Sequence, residues 1–191
     1  MKQTRFKSAR LLLTITIAIM LASSPMITSA QLTTSLSANA GSTFEGFGYS
    51  SSGAGLKLSL GYEIQKWIEI DLQAQRYWLN AMLYNQLNSM ALNAKVIPFT
   101  TAIKPYIAFA GGIGHLNGGK IDFGDYEKEF IYDVWVLKPQ IGLLMDSGLH
   151  ENLLVDLNVF YESNKFQGYN GRRFFNLYGV SLGLRYLITL R

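Results

Sequence analysis

Cysteine is absent from the chain. No disulfide can form, and no lipobox cysteine is available to tether the N-terminus to a lipid. Proline is scarce, four in 191 residues, and no Pro-rich linker or low-complexity tract marks a second domain. Histidine occurs twice. His115 lies beside a long polar connection and His150 in a short one, so the two are expected at opposite ends of the molecule and cannot share a metal. Long apolar runs are also missing. The stretch Leu11 to Ala22 is about 12 residues, short of the ~20 that a spanning helix needs.

That run has a targeting role. Lys2, Arg5, Lys7 and Arg10 precede it without any acid, and "SSPMITSA" follows, with Thr28 and Ala30 placed as a signal peptidase requires. Residues 1–30 are therefore expected to be a cleaved secretory signal and residues 31–191 one mature domain. The chain carries 17 Lys plus Arg and 13 Asp plus Glu. Removing the four leader bases leaves 13 against 13, so the basic balance belongs to the leader and gives no case for nucleic acid.

What the mature region does contain is alternation. In "IEIDLQAQ", Ile68, Ile70, Leu72 and Ala74 share one parity, and Glu69, Asp71, Gln73 and Gln75 the other. Period two is the mark of a strand with one apolar and one polar face. The same pattern returns at 32–40, 54–64, 88–97, 105–116, 135–146, 153–162 and 178–188, giving eight strands. Connections alternate between short, near 65–67, 99–104 and 148–152, and long, near 41–52, 79–87, 117–133 and 163–173. Short turns at one end and long loops at the other describe an all-β, eight-stranded antiparallel up-and-down transmembrane β-barrel.

Whether the apolar parity faces inward or outward rests on two features. The polar parity is rich in Gly, Ser, Ala and Asn, as a narrow lumen requires. The apolar parity ends in two levels of aromatics: Tyr62 and Trp67 near short turns, Trp78, Trp135, Tyr161 and Tyr178 near long loops. Two such levels match the girdles at the membrane interfaces. The apolar face is expected to meet lipid.

The polar parity then sends Lys57, Glu69, Asp71, Lys95, Lys138, Asp156, Glu162 and Arg185 into the lumen, four bases and four acids. A lone ion there is costly, so pairs are expected. A hairpin centred near Leu83 sets Asp71 opposite Lys95. Asp156 is expected to meet Arg185 on the last two strands, and Lys138 to reach Glu162.

Other motifs are weak. "GGIGHLNGG" has Asn117 where a dinucleotide fingerprint needs its last Gly, and no helix follows. "DFG" at 122–124 has no other kinase element around it. "DYEKE" spaces Asp125, Glu127 and Glu129 like a calcium loop, but Phe130 occupies the obligatory Gly position. With Asp122 these acids read as a solvated loop, open to divalent-cation or lipopolysaccharide contact. Lys165, Arg172 and Arg173, among aromatics, read as a second loop suited to lipid A phosphates or a host ligand. His115 has no Ser beside it, although Asp133 can approach from the next strand, so catalytic residues are not assigned.

"GAGLKLSLGYEI", "IEIDLQAQRYW", "KPYIAFAGGIGHLNGG" and "GVSLGLRYLI" resemble strands of the OmpA-like, opacity-type small outer-membrane barrels. The resemblance runs from Leu32 to Leu190. The last strand departs from it, with Ile188 where the family carries an aromatic. The resemblance implies the outer membrane of a Gram-negative bacterium, insertion by the barrel-assembly machinery, a monomer among lipids and lipopolysaccharide, surface contacts through loops, and no cofactor. Three roles are open: a structural or surface-interaction barrel, a lipid A-modifying enzyme, and a small porin or conduit for hydrophobic ligands.

Overall fold

The computed structural model describes residues 31–45, 50–80, 84–99, 101–122, 127–168 and 171–189. Within these ranges the side chains at 44, 45, 50, 51, 119–122, 127–130, 167, 168, 171–173 and 189 are outside the description, as is the expected leader at 1–30. The eight strands are β1 (Gln31–Glu45), β2 (Ser50–Gln65), β3 (Ile68–Leu79), β4 (Tyr84–Val96), β5 (Ile103–Asp122), β6 (Glu127–Asp146), β7 (Leu153–Gly168) and β8 (Gly171–Thr189). Each pairs antiparallel with the next, and β1 pairs with β8 to close the barrel. Closure leaves no strand edge, which is the condition for a sheet to sit in hydrocarbon.

The parity in the sequence becomes the two walls of the barrel. Along β3 burial alternates without interruption: Glu69, Asp71, Gln73, Gln75 and Tyr77 are buried, and Ile70, Leu72, Ala74, Arg76 and Trp78 are exposed. The outer wall carries Leu36, Leu58, Leu92, Ile107, Ile141 and Leu182, each more than half exposed. A wall of exposed aliphatic side chains, continuous around a closed sheet, is a lipid-facing surface. Tyr62 and Trp67 bound it at the short-turn end, and Trp78, Trp135, Tyr161 and Tyr178 at the other. Trp67 and Trp78 are 11 residues apart, and at ~3.3 Å per residue with a tilt of ~45° the belt is about 25 Å tall, the height of an outer-membrane apolar band.

The strands outrun the belt. Segments 117–133 and 163–173 were expected to be loops. Instead β5 and β6 stay paired from Ile113↔Trp135 to Asp122↔Glu127, and β7 and β8 from Tyr161↔Tyr178 to Gly168↔Gly171. Past Trp135 and Tyr161 the outer parity turns polar, as at His115, Asp133 and Lys165, while Phe166 and Phe175 are buried on the inner one, so the apolar outer parity that marks a membrane strand is lost and the segments read as loop. Asp146, at the end of β6, is exposed and lies 3.8 Å from Lys104. The turn after it holds Gly148 at φ 72°, a left-handed conformation that suits glycine.

The outer wall generates a test. Leu182→Arg places a charge in the apolar belt and should cost ~2–4 kcal/mol near mid-membrane, measured by reversible urea unfolding in lipid vesicles. Unchanged stability would assign Leu182 to the wrong wall.

Candidate functional site

The site is the lumen. Lys57, Glu69, Asp71, Lys95, Lys138, Asp156, Glu162 and Arg185 all lie inside the barrel, none more than 6% exposed. They form two charged layers joined by amides.

The layer nearer the short turns centres on Glu69. Thr33 Oγ1 donates to its Oε1 at 2.9 Å. Its Oε2 pairs with Arg185 Nη2, and Lys95 Nζ stands 3.8 Å away. Lys95 reaches across to Asp156 at 4.0 Å, and its ammonium lies 4.8 Å from the centre of the Tyr106 ring. Tyr106 donates its hydroxyl to Asp156 Oδ1 at 2.6 Å, where Asn158 Nδ2 also donates at 3.2 Å. Gly142 makes this possible. It stands opposite Tyr106 on β6, where a Cβ would come within 2.5 Å of the ring. Two cations, two carboxylates and their hydrogen bonds thus neutralise one another in a space that side chains fill.

The second layer centres on Lys138. Its Nζ donates to Gln75 Oε1 at 2.6 Å and lies 3.3 Å from Glu162 Oε2, to which Gln75 Nε2 donates at 2.6 Å. The Phe160 ring centre is 4.3 Å from the same ammonium, close enough for a cation–π contact. Between the layers, Asn93 Nδ2 donates to Asp71 Oδ2 at 2.8 Å, and Gln140 Nε2 to Asn93 Oδ1 at 3.2 Å. Lys57 has no ion pair within 4 Å among the described residues, and feels Asp156 and Asp71 on one side and Lys138 and Lys95 on the other.

Two expected pairs are corrected. Asp71 stands opposite Asn93, not Lys95, and Lys95 stands opposite Glu69. The β3–β4 hairpin is therefore centred one residue earlier than expected, which moves every partner by two positions. On the last two strands Asp156 faces Gly183, and Arg185 faces Leu154. Arg185 turns to Glu69 instead, and Asp156 is served by Lys95.

Above the second layer most inward residues are apolar, with Thr43 and Asn164 buried among them. Tyr77, Leu87, Leu116, Val136, Phe160 and Leu177 form one buried cluster. Tyr84 joins it, with its ring 5.6 Å from Phe175 and 6.1 Å from Phe166. This cap was missed from the sequence, although Tyr77, Leu87 and Leu177 sit on the lumen parity of their strands. It closes the lumen at the long-hairpin end.

Of the surface residues, Lys165 is exposed with its ammonium 5.7 Å from the Phe174 ring. The side chains of Asp122, Asp125, Glu127, Glu129, Arg172 and Arg173 lie outside the described residues. On the outer wall His115 Nδ1 is 2.6 Å from Asp133 Oδ1, both side chains being exposed. A shallow cleft there is lined by Ile113, Gly114, Val134 and Trp135, and holds no hydroxyl or thiol among the described residues. No group of three or more metal-ligating side chains occurs among them either.

No protein-family model matches the chain, and no curated protein matches it in sequence. Among solved structures it is similar to Neisserial surface protein A, with a TM-score of 0.61 and 19% identity over 82% of this chain and 97% of that one. The fold is that of the small outer-membrane barrels. Ail, the attachment invasion locus protein of Yersinia pestis, solved with the heparin analogue sucrose octasulfate, is a second example, with a TM-score of 0.50, 13% identity and coverage of 83% and 99%. In an outer-membrane barrel the short turns face the periplasm and the long hairpins the outside, which orients the two charged layers and the apolar cap above them.

The upper layer tests the pairing. Lys138→Met strands Glu162, which is fully buried, and should cost ~3–5 kcal/mol in vesicle unfolding. Adding Glu162→Leu should recover more than half of that loss. Losses that simply add would show the two charges to be independent.

Proposed function

We propose that the protein is a non-catalytic outer-membrane barrel with a structural or surface-interaction role, exported with a leader cleaved after Ala30. One observation carries the reading. The lumen is filled with largely paired charge and capped by Tyr77, Leu87, Leu116 and Leu177, while β5 continues nine residues and β6 eight past the Ile113–Trp135 level. At ~3.3 Å per residue that hairpin projects on the order of 25 Å along its strands beyond the apolar belt. A closed interior leaves the outer wall and the projecting hairpins to meet other molecules. The contacts we assign are membrane lipid and lipopolysaccharide along the wall, the barrel-assembly machinery during insertion, and a host or surface ligand at the hairpin tips. The barrel acts as a monomer, without cofactor.

A second reading, acyl chemistry on lipid A, has the 2.6 Å contact between His115 and Asp133 in its favour. An imidazole oriented by a carboxylate is two parts of a triad, but among the described residues no hydroxyl or thiol lines the cleft beside it.

One strain decides between them. The protein should be recovered from the outer-membrane fraction with Gln31 as its first residue, and its deletion should leave the lipid A mass spectrum unchanged. Loss or gain of an acyl chain in the deletion strain would establish the second reading. Recovery in soluble periplasm would refute both.

A further inference from the structure

Outward-facing polar residues stand in register on consecutive strands at the outer margin of the apolar wall. Arg76 on β3 pairs with Asn88 on β4, Asn88 with His115 on β5, and His115 with Asp133 on β6. Lys165 follows on β7, opposite Trp135. Polar side chains on this face need a partner other than hydrocarbon. Arg76 is exposed, 5.5 Å from the Trp78 ring, and only its Nη2 is engaged among the described residues, donating to Gln86 Oε1 at 2.9 Å. Lys165 is exposed as well. His115 Nδ1 is held by Asp133, and the rest of the imidazole is open, the side chain being 65% exposed.

Beneath this row the apolar wall has a trough. The cleft between β5 and β6, floored by Ile113 and Trp135, has a volume of about 300 Å³. Two residues deeper in the belt, on the parity of Ile113, Gly111 presents no side chain, and a Cβ there would meet nothing within 4 Å. Its partners across the ladder, Leu92 and Leu137, stand exposed on either side. An apolar trough thus leads up to the His115–Asp133 pair. Trp78 and Trp135 set that pair at the headgroup level of the outer leaflet.

We infer that this margin binds lipid A, the phosphorylated and acylated glucosamine disaccharide of lipopolysaccharide, with an acyl chain in the trough over Gly111, the sugar on the His115–Asp133 pair, and one phosphate on Arg76 and the other on Lys165. Span sets the class. Arg76 and Lys165 lie four strands apart, on the order of 20 Å at ~4.8 Å per strand, and both long side chains can bend inward. A lipid with a single phosphate reaches one of them, whereas a disaccharide with a phosphate at each end reaches both. The carboxylate of Asp133 is turned to His115 and meets sugar hydroxyls rather than phosphate. The inference rests on the outer-membrane placement proposed above and narrows its lipopolysaccharide contact to one site.

The chain has three tryptophans, which makes a site-specific test available. Trp78 and Trp135 flank the site, and Trp67 at the short-turn end serves as the reference. The mature barrel is refolded in phosphatidylcholine nanodiscs, and its indole N–H resonances are followed by NMR as the fraction of diphosphoryl lipid A in the discs is raised. Trp78 and Trp135 should shift saturably and Trp67 should stay in place. Monophosphoryl lipid A should bind about tenfold weaker, because a charge-assisted contact is lost, and phosphatidylglycerol weaker still. Arg76→Gln and Lys165→Gln should each weaken diphosphoryl lipid A to a similar extent. Gly111→Leu should weaken it several-fold with the β-sheet circular dichroism unchanged, since the new side chain enters open space. Equal movement of Trp67, equal binding of phosphatidylglycerol, or unaltered affinity in both Arg76→Gln and Gly111→Leu would each overturn the site. A barrel with intact β-sheet dichroism and no shift refutes the site alone, whereas failure to form β-sheet in the discs refutes the membrane reading with it.

Discussion

The structure depends on neutralising charge inside a tube that has no room for bulk water. Eight strands make a barrel whose interior is only wide enough for side chains. Glu69 shows how this chain meets that constraint. One carboxylate, held by the Thr33 hydroxyl, faces Arg185 and Lys95, and Lys95 carries the link on to Asp156 and so to Tyr106. Strands β1, β3, β4, β5, β7 and β8 are tied through these side chains, in addition to their backbone ladders. The cost of stranding Glu69, Lys95, Asp156 or Arg185 keeps these four together, while Lys57 has no ion pair within 4 Å among the described residues.

That interior accounts for the division of labour outside it. A filled lumen transmits nothing along the axis, so exchange with the surroundings is confined to the two ends and the wall. At one end the apolar cap of Tyr77, Leu87 and Leu177 seals the barrel beneath the long hairpins. At the other end Arg185 pairs with Glu69 through Nη2, and the residue lines a cavity of about 200 Å³ beneath the network. The wall carries mainly aliphatic residues between two aromatic levels, and the ionisable groups Arg76, His115 and Asp133 lie at its outer margin. Arg76 is accommodated there by stacking on Trp78 and donating to Gln86.

Much of this was legible in the sequence, for a physical reason. Within lipid one face of every strand must be apolar, so Ile68 to Gln75 alternates without a slip and names both walls. The lumen charges follow from the same parity. Register was not legible, because it is set by the length and geometry of connections. Expecting the β3–β4 hairpin one residue too late was enough to put Asp71, in place of Glu69, opposite Lys95. Pairing across the barrel was less legible still: Arg185 meets Glu69, which lies on a strand remote from it in sequence. The extended hairpins were hidden because beyond the belt the outer parity turns polar, as at Asp133 and Lys165, and the apolar residues, such as Phe166 and Phe175, move to the inner one. The cap had a signal, in Tyr77, Leu87 and Leu177 on the lumen parity, but it was overshadowed by the girdle aromatics next to it.

The most direct measurement of a closed, charge-paired lumen is ionic conductance. The mature protein, reconstituted at low density into a planar bilayer in neutral molar potassium chloride, should give no steady openings above the bare membrane. Paired charges fill the middle and apolar side chains close one end. A stable, ohmic single-channel current from the folded barrel would contradict the account.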